Sequence, residues 1–380
     1  MKHNPKHILH VVNIYFVLPY FIGGQFRHFA NKGYKMFAAC SKSEYLENYA
    51  KENGFQYLET PVCRSVSISN DLKSIRNVYR YIRKNQIGIV VGHTPKGALI
   101  AMVASWLARV PKRIYFRHGL VYETSHGLKR FILISVDRLA SALATKVVCV
   151  SPSVMRRSIE DKLCPASKMI ILSKGTCNGI DTLGKFNPAN INAEKLAVLK
   201  NKYGIKESDW VIGYTGRLVR DKGIIELVRA LDYLKGQNYK LLLMGMFEQR
   251  DALPEDVQQK ILHDERVVYT GFINENQEYF YAMMNVYVLP SYREGFPTGC
   301  LEAQSMGIPV ITTTSTGCID AIQDGVTGLR TKIDAVDIAT QIATVREKHL
   351  DTGMSSEARK WVMDNFEEHH IWDEVEQLYL

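Results

Sequence analysis

The sequence predicts an α/β protein made of two doubly wound domains, each a parallel sheet with helices on both faces. The chain has 380 residues, of which 46% are hydrophobic, which is enough for two cores of ordinary size. Both halves alternate short apolar runs, typical of buried parallel strands, with segments of helical periodicity. Ligands of such folds bind at the carboxyl ends of strands, so we expect function in the loops that follow them.

Each half contains a series of runs typical of buried strands. In the first half they cover residues 7–12, 34–39, 87–91, 114–116 and 146–150. In the second half they cover residues 210–214, 240–244, 267–270, 286–289 and 310–313. Helices are predicted at 24–32, 71–84 and 96–108. The polar stretch 184–194 is predicted to be a linker, so the expected domains are 1–185 and 186–362, with 363–380 a C-terminal helix that packs back on the first domain.

Charge is divided unevenly between the two halves. Residues 1–180 contain 27 Lys and Arg against 9 Asp and Glu, a net +18, whereas residues 181–380 contain 21 against 30, a net −9. A basic half favours an anionic partner, which could be nucleic acid, a membrane surface or a phosphorylated substrate. No recognisable nucleic-acid module is present in the sequence, so we do not expect nucleic acid to be the partner.

The sequence also indicates a compartment. No apolar run reaches about 18 residues, so no transmembrane helix is expected. The basic N-terminus leads directly into a predicted strand, which is unlike a signal peptide. The cysteines are scattered without a C-x-x-C pair, which fits a reducing environment. We therefore expect a cytoplasmic protein.

The segment REGFPTGCLEAQSMGIPV, residues 293–310, follows a predicted strand and contains two acids around the start of a helix. Pro297 fits a first helical turn, and Gly295 permits close backbone approach. The free N–H groups of such a helix suit an anion, and the carboxylates of Glu294 and Glu302 can accept hydrogen bonds from sugar or ribose hydroxyls. Either glutamate alone is more simply explained as a partner of the helix dipole.

The segment GYTGRLVRDKG, residues 213–223, also follows a predicted strand. Gly216 allows a sharp turn, and Arg217 and Lys222 place two cations over one loop. Arg can bind phosphate through two hydrogen bonds and Lys acts as a point charge, so the loop can hold a phosphate group. A solvated basic loop is the alternative.

Taken together, G-R-L-x-x-x-K-G and E-G-F-P with a second Glu at the eighth position resemble the retaining glycosyltransferases of family 4. These enzymes have the GT-B fold, in which two Rossmann-like domains face a central cleft, and use nucleotide-diphosphate sugars. Further matches are Val150-Ser151, Asn178-Gly179-Ile180-Asp181 and Asp324-Gly325 with Gly328-Leu329. The resemblance therefore covers essentially the whole chain.

The resemblance implies a role for each matching residue. Arg217 and Lys222 would neutralise the diphosphate leaving group. Glu294 would bind hydroxyls of the donor sugar and stabilise the reacting centre, and Glu302 would bind the ribose. Close backbone approach to the donor is implied for Gly216, Gly245, Gly295, Phe296, Pro297 and Thr298. Where relatives often have G-x-G, this chain has Gly245-Met246-Phe247.

In the first half, the resemblance implies that Gly23 and Gly24 approach the diphosphate and the acceptor. This loop lacks a full G-x-G-x-x-G, which disfavours a dehydrogenase. His118, in FRHGLVYE, matches a His-Gly that the family often has near the donor sugar, so it is a candidate catalytic residue.

The segment GHTPKGALIA, residues 92–101, resembles the H-T-P-K-A-G of bacterial transferases that extend lipid-linked saccharides for capsule or exopolysaccharide. His93, Thr94 and Lys96 are therefore candidate contacts to the acceptor. A loop that caps the next helix explains the same residues equally well.

Two further features favour an anionic membrane surface as a partner. Basic side chains gather near one face of the predicted helix 71–84, namely Arg76, Arg80, Arg83 and Lys84. The aromatic and aliphatic run YFVLPYFI, residues 15–22, follows the first strand and could be core or could enter lipid headgroups. We expect peripheral attachment to the inner face of the cell membrane.

The predicted activity is transfer of a hexose from a nucleotide-diphosphate sugar, preferably a UDP-sugar, to a saccharide acceptor carried on a lipid diphosphate. No D-x-D triplet occurs in the sequence, so we predict neither a metal nor another cofactor. Two alternatives remain: a sugar-nucleotide epimerase of the same architecture, and a non-catalytic protein that binds sugar nucleotides.

Overall fold

The computed structural model describes residues 3–62, 67–236 and 238–380. The chain divides into two compact units. Unit 1 is Met1–Gly179 together with His369–Leu380, and unit 2 is Ile180–Glu368. The first division lies at Gly179 rather than at 185, and the second at Glu368 rather than at 362.

The polar segment predicted to be a linker lies inside unit 2, because its backbone is bound there. The guanidinium of Arg359 donates hydrogen bonds to the carbonyl oxygens of Thr182 (3.2 Å) and Phe186 (3.3 Å). The hydroxyl of Ser305 donates to the same Phe186 oxygen at 2.7 Å, and the Phe186 ring is buried in the core of unit 2. The prediction of a linker rested only on the polar composition of residues 184–194, and the structure places these residues in unit 2.

Unit 1 is a seven-stranded sheet in the order β3-β2-β1-β4-β5-β6-β7, and its described pairings are all parallel. The strands are β1 (Asn4–Val11), β2 (Lys35–Cys40), β3 (Gln56–Glu59), β4 (Ile87–His93), β5 (Lys112–Arg117), β6 (Lys146–Cys149) and β7 (Met169–Ile170). The helices are α1 (Leu18–Phe21), α2 (Gln25–Asn31), α3 (Leu46–Asn53), α4 (Ile68–Asn85), α5 (Pro95–Leu107), α6 (Gly127–Leu143) and α7 (Pro152–Glu160). Every residue of β4 is buried, as expected for a central parallel strand.

Unit 2 is a six-stranded parallel sheet in the order β10-β9-β8-β11-β12-β13. Its strands are β8 (Trp210–Thr215), β9 (Tyr239–Met244), β10 (Val267–Gly271), β11 (Val286–Leu289), β12 (Val310–Thr312) and β13 (Gly328–Arg330). Its helices are α8 (Ala193–Lys202), α9 (Ile224–Ala230), α10 (Glu255–His263), α11 (Gln277–Tyr281), α12 (Thr298–Ser305), α13 (Ala335–Glu347), α14 (Leu350–Gly353) and α15 (Ser355–Phe366). The predicted fold class, two parallel doubly wound sheets, is confirmed.

The last helix, α16 (Glu368–Tyr379), begins at the end of unit 2, and from His369 onward it belongs to unit 1. Its indole at Trp372 is buried and donates from Nε1 to the carbonyl oxygen of Asn178 at 2.8 Å. Gly24 makes this packing possible, since a Cβ there would lie 2.6 Å from Cη2 of Trp372.

Candidate active site

Two predicted catalytic side chains meet at the carboxyl edge of the unit 2 sheet. Lys222 follows β8 in a short 3₁₀ turn, and Glu294 follows the neighbouring strand β11. The ammonium of Lys222 donates to Oε1 of Glu294, and both side chains are mostly buried. Gly223 lets the two loops approach, because a Cβ at this residue, which has φ +71°, would lie 2.1 Å from the carbonyl oxygen of Pro290. The structure thus pairs the predicted diphosphate cation with the predicted sugar-binding carboxylate.

Arg217 lies in the same loop and is half exposed. Its guanidinium forms a 2.9 Å ion pair with Glu248, which follows β9. The two loops touch at glycines, since a Cβ on Gly245 would lie 1.8 Å from the carbonyl oxygen of Gly216. Glu248 was not predicted, because nothing in the sequence connects an acid after β9 with an arginine after β8.

Glu302 lies in a network of hydroxyl groups beneath the start of α12. The Tyr281 hydroxyl donates to Oε2 of Glu302 at 2.5 Å and lies 3.0 Å from Oγ1 of Thr215. Oγ1 of Thr215 also lies 3.0 Å from the hydroxyl of Tyr287. Burial raises the pKa of the Glu302 carboxyl, and the Tyr281 hydrogen bond opposes that shift. The protein therefore holds one of the two carboxylate oxygens, Oε2, and ribose binding by Glu302 stays a prediction.

Sequence reasoning missed both Tyr281 and Thr215. Thr215 comes directly after the predicted strand 210–214 and ends β8 in the structure, so its position at the carboxyl edge of the sheet was the available signal. Tyr281 ends the short helix α11, and no spacing in the sequence connects it to Glu302.

The segment between the two glutamates is fixed by the loop after β12. The amide of Glu294 donates to the carbonyl oxygen of Thr316 at 2.8 Å, and a Cβ on Gly317 would lie 2.6 Å from the carbonyl oxygen of Gly295. Pro297 immediately precedes α12, Thr298 is its exposed first residue, and Phe296 packs 5.4 Å from the Phe366 ring.

In unit 1 the predicted glycine pair follows the short helix α1. A Cβ on Gly23, which has φ +50°, would lie 2.7 Å from the carbonyl oxygen of Pro19 and 2.9 Å from Nδ2 of Asn178. The Gln25 amide donates to Oδ1 of the same Asn178 at 2.9 Å. Gly23 and Gly24 therefore allow tight packing inside unit 1, and a contact to a ligand stays a prediction.

The three candidate acceptor residues have partners within unit 1. Thr94 caps α5 by accepting from the Gly97 amide at 3.3 Å, as the capping interpretation expects. Lys96 donates to Asp71 of α4 at 2.5 Å, and both side chains are largely buried. His93 is 2% exposed. The structure therefore favours packing roles for these residues, and acceptor binding by them stays a prediction.

His118 follows β5 and is partly exposed. Its Nε2 lies 2.8 Å from Nδ1 of His93, and its ring stacks on Phe21 with centroids 3.7 Å apart. Burial lowers the pKa of His118 to about 3, so its imidazole is neutral at physiological pH. Phe21, which was considered for membrane contact, instead packs against a candidate catalytic side chain.

Across the parts of the chain that the structure describes, no three His, Cys, Asp or Glu residues are grouped closely enough to hold a metal ion. A surface cavity of about 340 Å³ in unit 2 is lined by residues such as Tyr239 and Val336 and includes none of the predicted site residues.

Two family models match the chain, one in each half. "Glycosyl transferase 4-like domain" matches residues 21–175, and "Glycosyl transferases group 1" matches residues 197–361. One relative is the capsular polysaccharide biosynthesis glycosyltransferase CapM of Staphylococcus aureus, 32% identical over 98% of this chain and 96% of CapM. The chain belongs to the group 1 glycosyltransferases.

Membership of this family confirms that the protein is an enzyme that transfers sugars. A second relative is the UDP-Gal:alpha-D-GlcNAc-diphosphoundecaprenol alpha-1,3-galactosyltransferase of Escherichia coli, 25% identical over 94% of this chain and 91% of its own. Among solved structures, Anabaena Alr3699/HepE in complex with UDP-glucose has a TM-score of 0.80 at 18% identity, over 98% of both chains. The GT-B fold predicted for this glycosyltransferase is confirmed.

Proposed function

We propose that this glycosyltransferase moves a hexosyl group from a UDP-sugar to a saccharide carried on a polyprenyl diphosphate, in synthesis of a surface polysaccharide. The observation that carries the proposal is the contact between Lys222 and Glu294 at the edge of the unit 2 sheet. A cation there suits a diphosphate, and the carboxylate beside it suits the hydroxyls of the attached sugar. CapM and the E. coli galactosyltransferase, which act in capsule synthesis and on a diphosphoundecaprenol-linked sugar by name, support the pathway and the acceptor class.

The chemistry follows from these charges. As the bond from the sugar's anomeric carbon to the diphosphate breaks, negative charge grows on the leaving oxygen, and Arg217 and Lys222 stabilise it. An acceptor hydroxyl attacks from the same face and gives its proton to that oxygen, so the configuration is retained. A double displacement would need a carboxylate nucleophile on the opposite face of the sugar, and no residue is assigned to that role.

The test is incubation with a panel of UDP- and GDP-sugars, with and without a short polyprenyl-diphosphate-linked GlcNAc, followed by measurement of nucleotide release and of product mass. We expect release from a UDP-sugar and an acceptor heavier by one hexose. Conversion of the donor to its epimer would support the first alternative, and tight UDP binding without turnover on any acceptor would support the second.

We also propose that the reaction needs no metal, because the sequence has no D-x-D triplet and the proposed roles of Arg217 and Lys222 supply two cations for the diphosphate. EDTA should leave the turnover rate unchanged. Loss of activity in EDTA that Mg²⁺ or Mn²⁺ restores would overturn this part of the proposal.

Docking of unit 1 on an anionic membrane is a further part of the proposed function. The basic side chains of α4 are exposed at Arg76, Arg80 and Arg83. Large exposed apolar side chains occupy the first two turns of both α4 and α6. They are Ile68, Leu72, Leu128, Phe131 and Ile132, and we call them the apolar rim. Both helices follow parallel strands, so the rim lies toward the edge of the sheet where acceptor loops are expected.

Sedimentation with neutral and anionic vesicles at two salt concentrations separates the two contributions. Charge attraction fades as the screening length falls from about 10 Å at 0.1 M to about 3 Å at 1 M salt, whereas apolar insertion persists. Changing Arg76, Arg80 and Arg83 to Ser should reduce binding at low salt, and Phe131→Ser should reduce the part that survives high salt. The matched control is Leu262→Ser, an exposed leucine of unit 2. Wild-type protein that ignores anionic vesicles at low salt would remove membrane docking from the proposal.

A further inference from the structure

Three histidines form a line across the middle of the unit 1 sheet. They lie on the adjacent strands β1 and β4 and directly after β5. The register aligns His10 with Val91, which is two residues before His93. It aligns His93 with Phe116, which is two residues before His118. Because side chains two residues apart share a face of a strand, the three rings lie on one face and step toward the carboxyl edge.

The rings are joined by two hydrogen bonds. Nδ1 of His10 lies 3.0 Å from Nε2 of His93, and Nδ1 of His93 lies 2.8 Å from Nε2 of His118. His10 and His93 are almost completely buried, at 1% and 2% exposure. Burial lowers the pKa of His10 and of His118 to about 3 and that of His93 well below its usual value, so all three rings are neutral.

A chain of neutral imidazoles can be protonated in only two ways, because each ring carries one N–H and each contact needs one hydrogen. In the outward pattern, His10 donates to His93, His93 donates to His118, and Nδ1 of His118 carries the last proton. In the inward pattern every donor is reversed, and Nε2 of His10 carries the last proton.

The inner end of the chain decides between them. Nε2 of His10 is buried and has no hydrogen-bond partner among the described residues. A buried N–H without a partner is rarer and costlier than a buried lone pair, so the outward pattern is favoured. At the other end, Nδ1 of the partly exposed His118 has no protein partner in the described parts of the chain, so its proton is available to a ligand.

We propose that His10 and His93 are positioning residues that fix His118 as an Nδ1–H tautomer, a neutral donor that binds an oxygen of the bound sugar nucleotide. The role of the ligand oxygen rests on the proposed function, whereas the tautomer is a property of the protein alone. His118 then serves as a hydrogen-bond donor through Nδ1 and does not accept a proton there.

The tautomer can be read directly from long-range ¹H–¹⁵N spectra of ¹⁵N-histidine-labelled protein, in which protonated and unprotonated ring nitrogens have different shifts. The signals of His118 are those that vanish in His118→Gln. We expect Nδ1 to be protonated and Nε2 to be unprotonated in the wild type. Protonation at Nε2 would overturn the proposal, whether or not the enzyme transfers sugar.

A matched pair of variants tests the relay. In His93→Asn the amide nitrogen takes the place of Nδ1 and can still donate to His118, whereas His93→Leu has a similar size and cannot. The Leu variant should show His118 partly protonated at Nε2 and kcat/KM about three- to tenfold lower, the effect of one hydrogen bond. The Asn variant should restore both the tautomer and most of the activity. An unchanged His118 tautomer in a folded Leu variant would also overturn the proposal, and a Leu variant that does not fold leaves the wild-type spectrum as the decisive measurement.

Discussion

The ion pair of Lys222 and Glu294 keeps two candidate catalytic side chains in position while no ligand is bound. Each holds the other in place and neutralises its charge at a mostly buried position, where a lone charge would be unfavourable. In the proposed function, a diphosphate sugar gives each of them a new partner, phosphate oxygens for the ammonium and hydroxyl groups for the carboxylate. Removal of either residue therefore leaves the other without its ion-pair partner in the empty enzyme, and in the proposed function it also removes a contact to substrate.

Arg217→Ala and Lys222→Ala should each lower kcat strongly. Each substitution removes a charge-assisted contact to the leaving diphosphate, a loss worth about 2–4 kcal/mol of barrier. Steady-state kinetics with the preferred donor measures the effect. The control is Arg229→Ala, which removes an exposed arginine of α9 that is paired with Asp256. Near wild-type turnover by both folded variants would show that the diphosphate binds elsewhere.

Glu302→Gln should weaken UDP binding roughly ten- to a hundredfold, the value of a hydrogen bond to a charged group, and should change kcat little. Glu294→Gln should instead lower kcat and change UDP affinity little, because the proposed contacts of Glu294 are to the reacting sugar. Calorimetric titration of UDP into both variants, together with kcat, separates the two roles. Equal losses of UDP affinity would contradict this assignment.

Glu302→Gln should also make the empty enzyme more stable at neutral pH. Burial raises the pKa of this carboxyl, so the folded state disfavours its ionised form, and the stability that the neutral acid provides at low pH is lost as the pH rises through the raised pKa. Glutamine stays neutral and can still accept from Tyr281. Thermal unfolding without ligand should give a higher Tm for the variant at pH 7.5, with a smaller difference at pH 4.5.

At the scale of elements, apolar patterns predicted the strands that pack on both faces. The run 286–289 matches β11, and β8 extends one residue beyond its predicted end. Strands with weak patterns were missed, among them β7 with two residues and β13 with three, because pairing with a neighbour rather than composition makes them strands.

The candidate site divides in the same way. Arg217 and Lys222 could be selected as candidates because they lie in the loop after β8, and Glu294 and Glu302 because they lie in the segment that joins β11 to α12 and in that helix. Partners contributed by distant loops could not be found, as Glu248, Tyr281 and His10 show, since their proximity arises only when the sheets form.

The docking of α16 predicts an unequal effect of two glycine substitutions. Gly24 has helical backbone angles, yet a Cβ there would overlap the buried Trp372, so Gly24→Ala should destabilise the protein by about 1–3 kcal/mol. Gly353→Ala is the control, because nothing lies within 4 Å of the added atom. Urea unfolding measures both. Equal stability of the two variants would mean that α16 can shift without cost.

At the scale of the molecule, the chain passes from unit 1 to unit 2 after Gly179 and returns to unit 1 after Glu368. Backbone hydrogen bonds join the first residue of unit 2 to residues at its end. The amide of Ile180 donates to the carbonyl oxygen of Phe366 at 2.8 Å, and the amide of Glu368 donates to the carbonyl oxygen of Ile180 at 3.0 Å. Burial, together with Asp181 and Glu367, raises the pKa of the Glu368 carboxyl to about 7.

Stability should therefore depend on pH at this junction. Between pH 4.5, the usual pKa, and about 7 the folded state keeps a proton that the unfolded state has released, and the stability this gives is lost as the pH rises through 7. Glu368→Gln should match the wild type at pH 5 and exceed its Tm at pH 8 by about 2–4 °C, since solvent screening limits the effect to the order of 1 kcal/mol. Asp364→Asn, an exposed site in α15, is the control. A constant difference in Tm across this range would contradict the assignment.

The return of α16 to unit 1 has a consequence for synthesis of the chain. Unit 1 is interrupted after Gly179 and completed only from His369 onward, so a ribosome makes the whole of unit 2 before the helix that covers Phe29 and Tyr34 exists. Unit 2 is continuous and can fold as soon as it has emerged. Unit 1 is therefore translated first but completed last. Until α16 has been made, Phe29 and Tyr34 lack the helix that covers them and leave an apolar surface for a chaperone to bind.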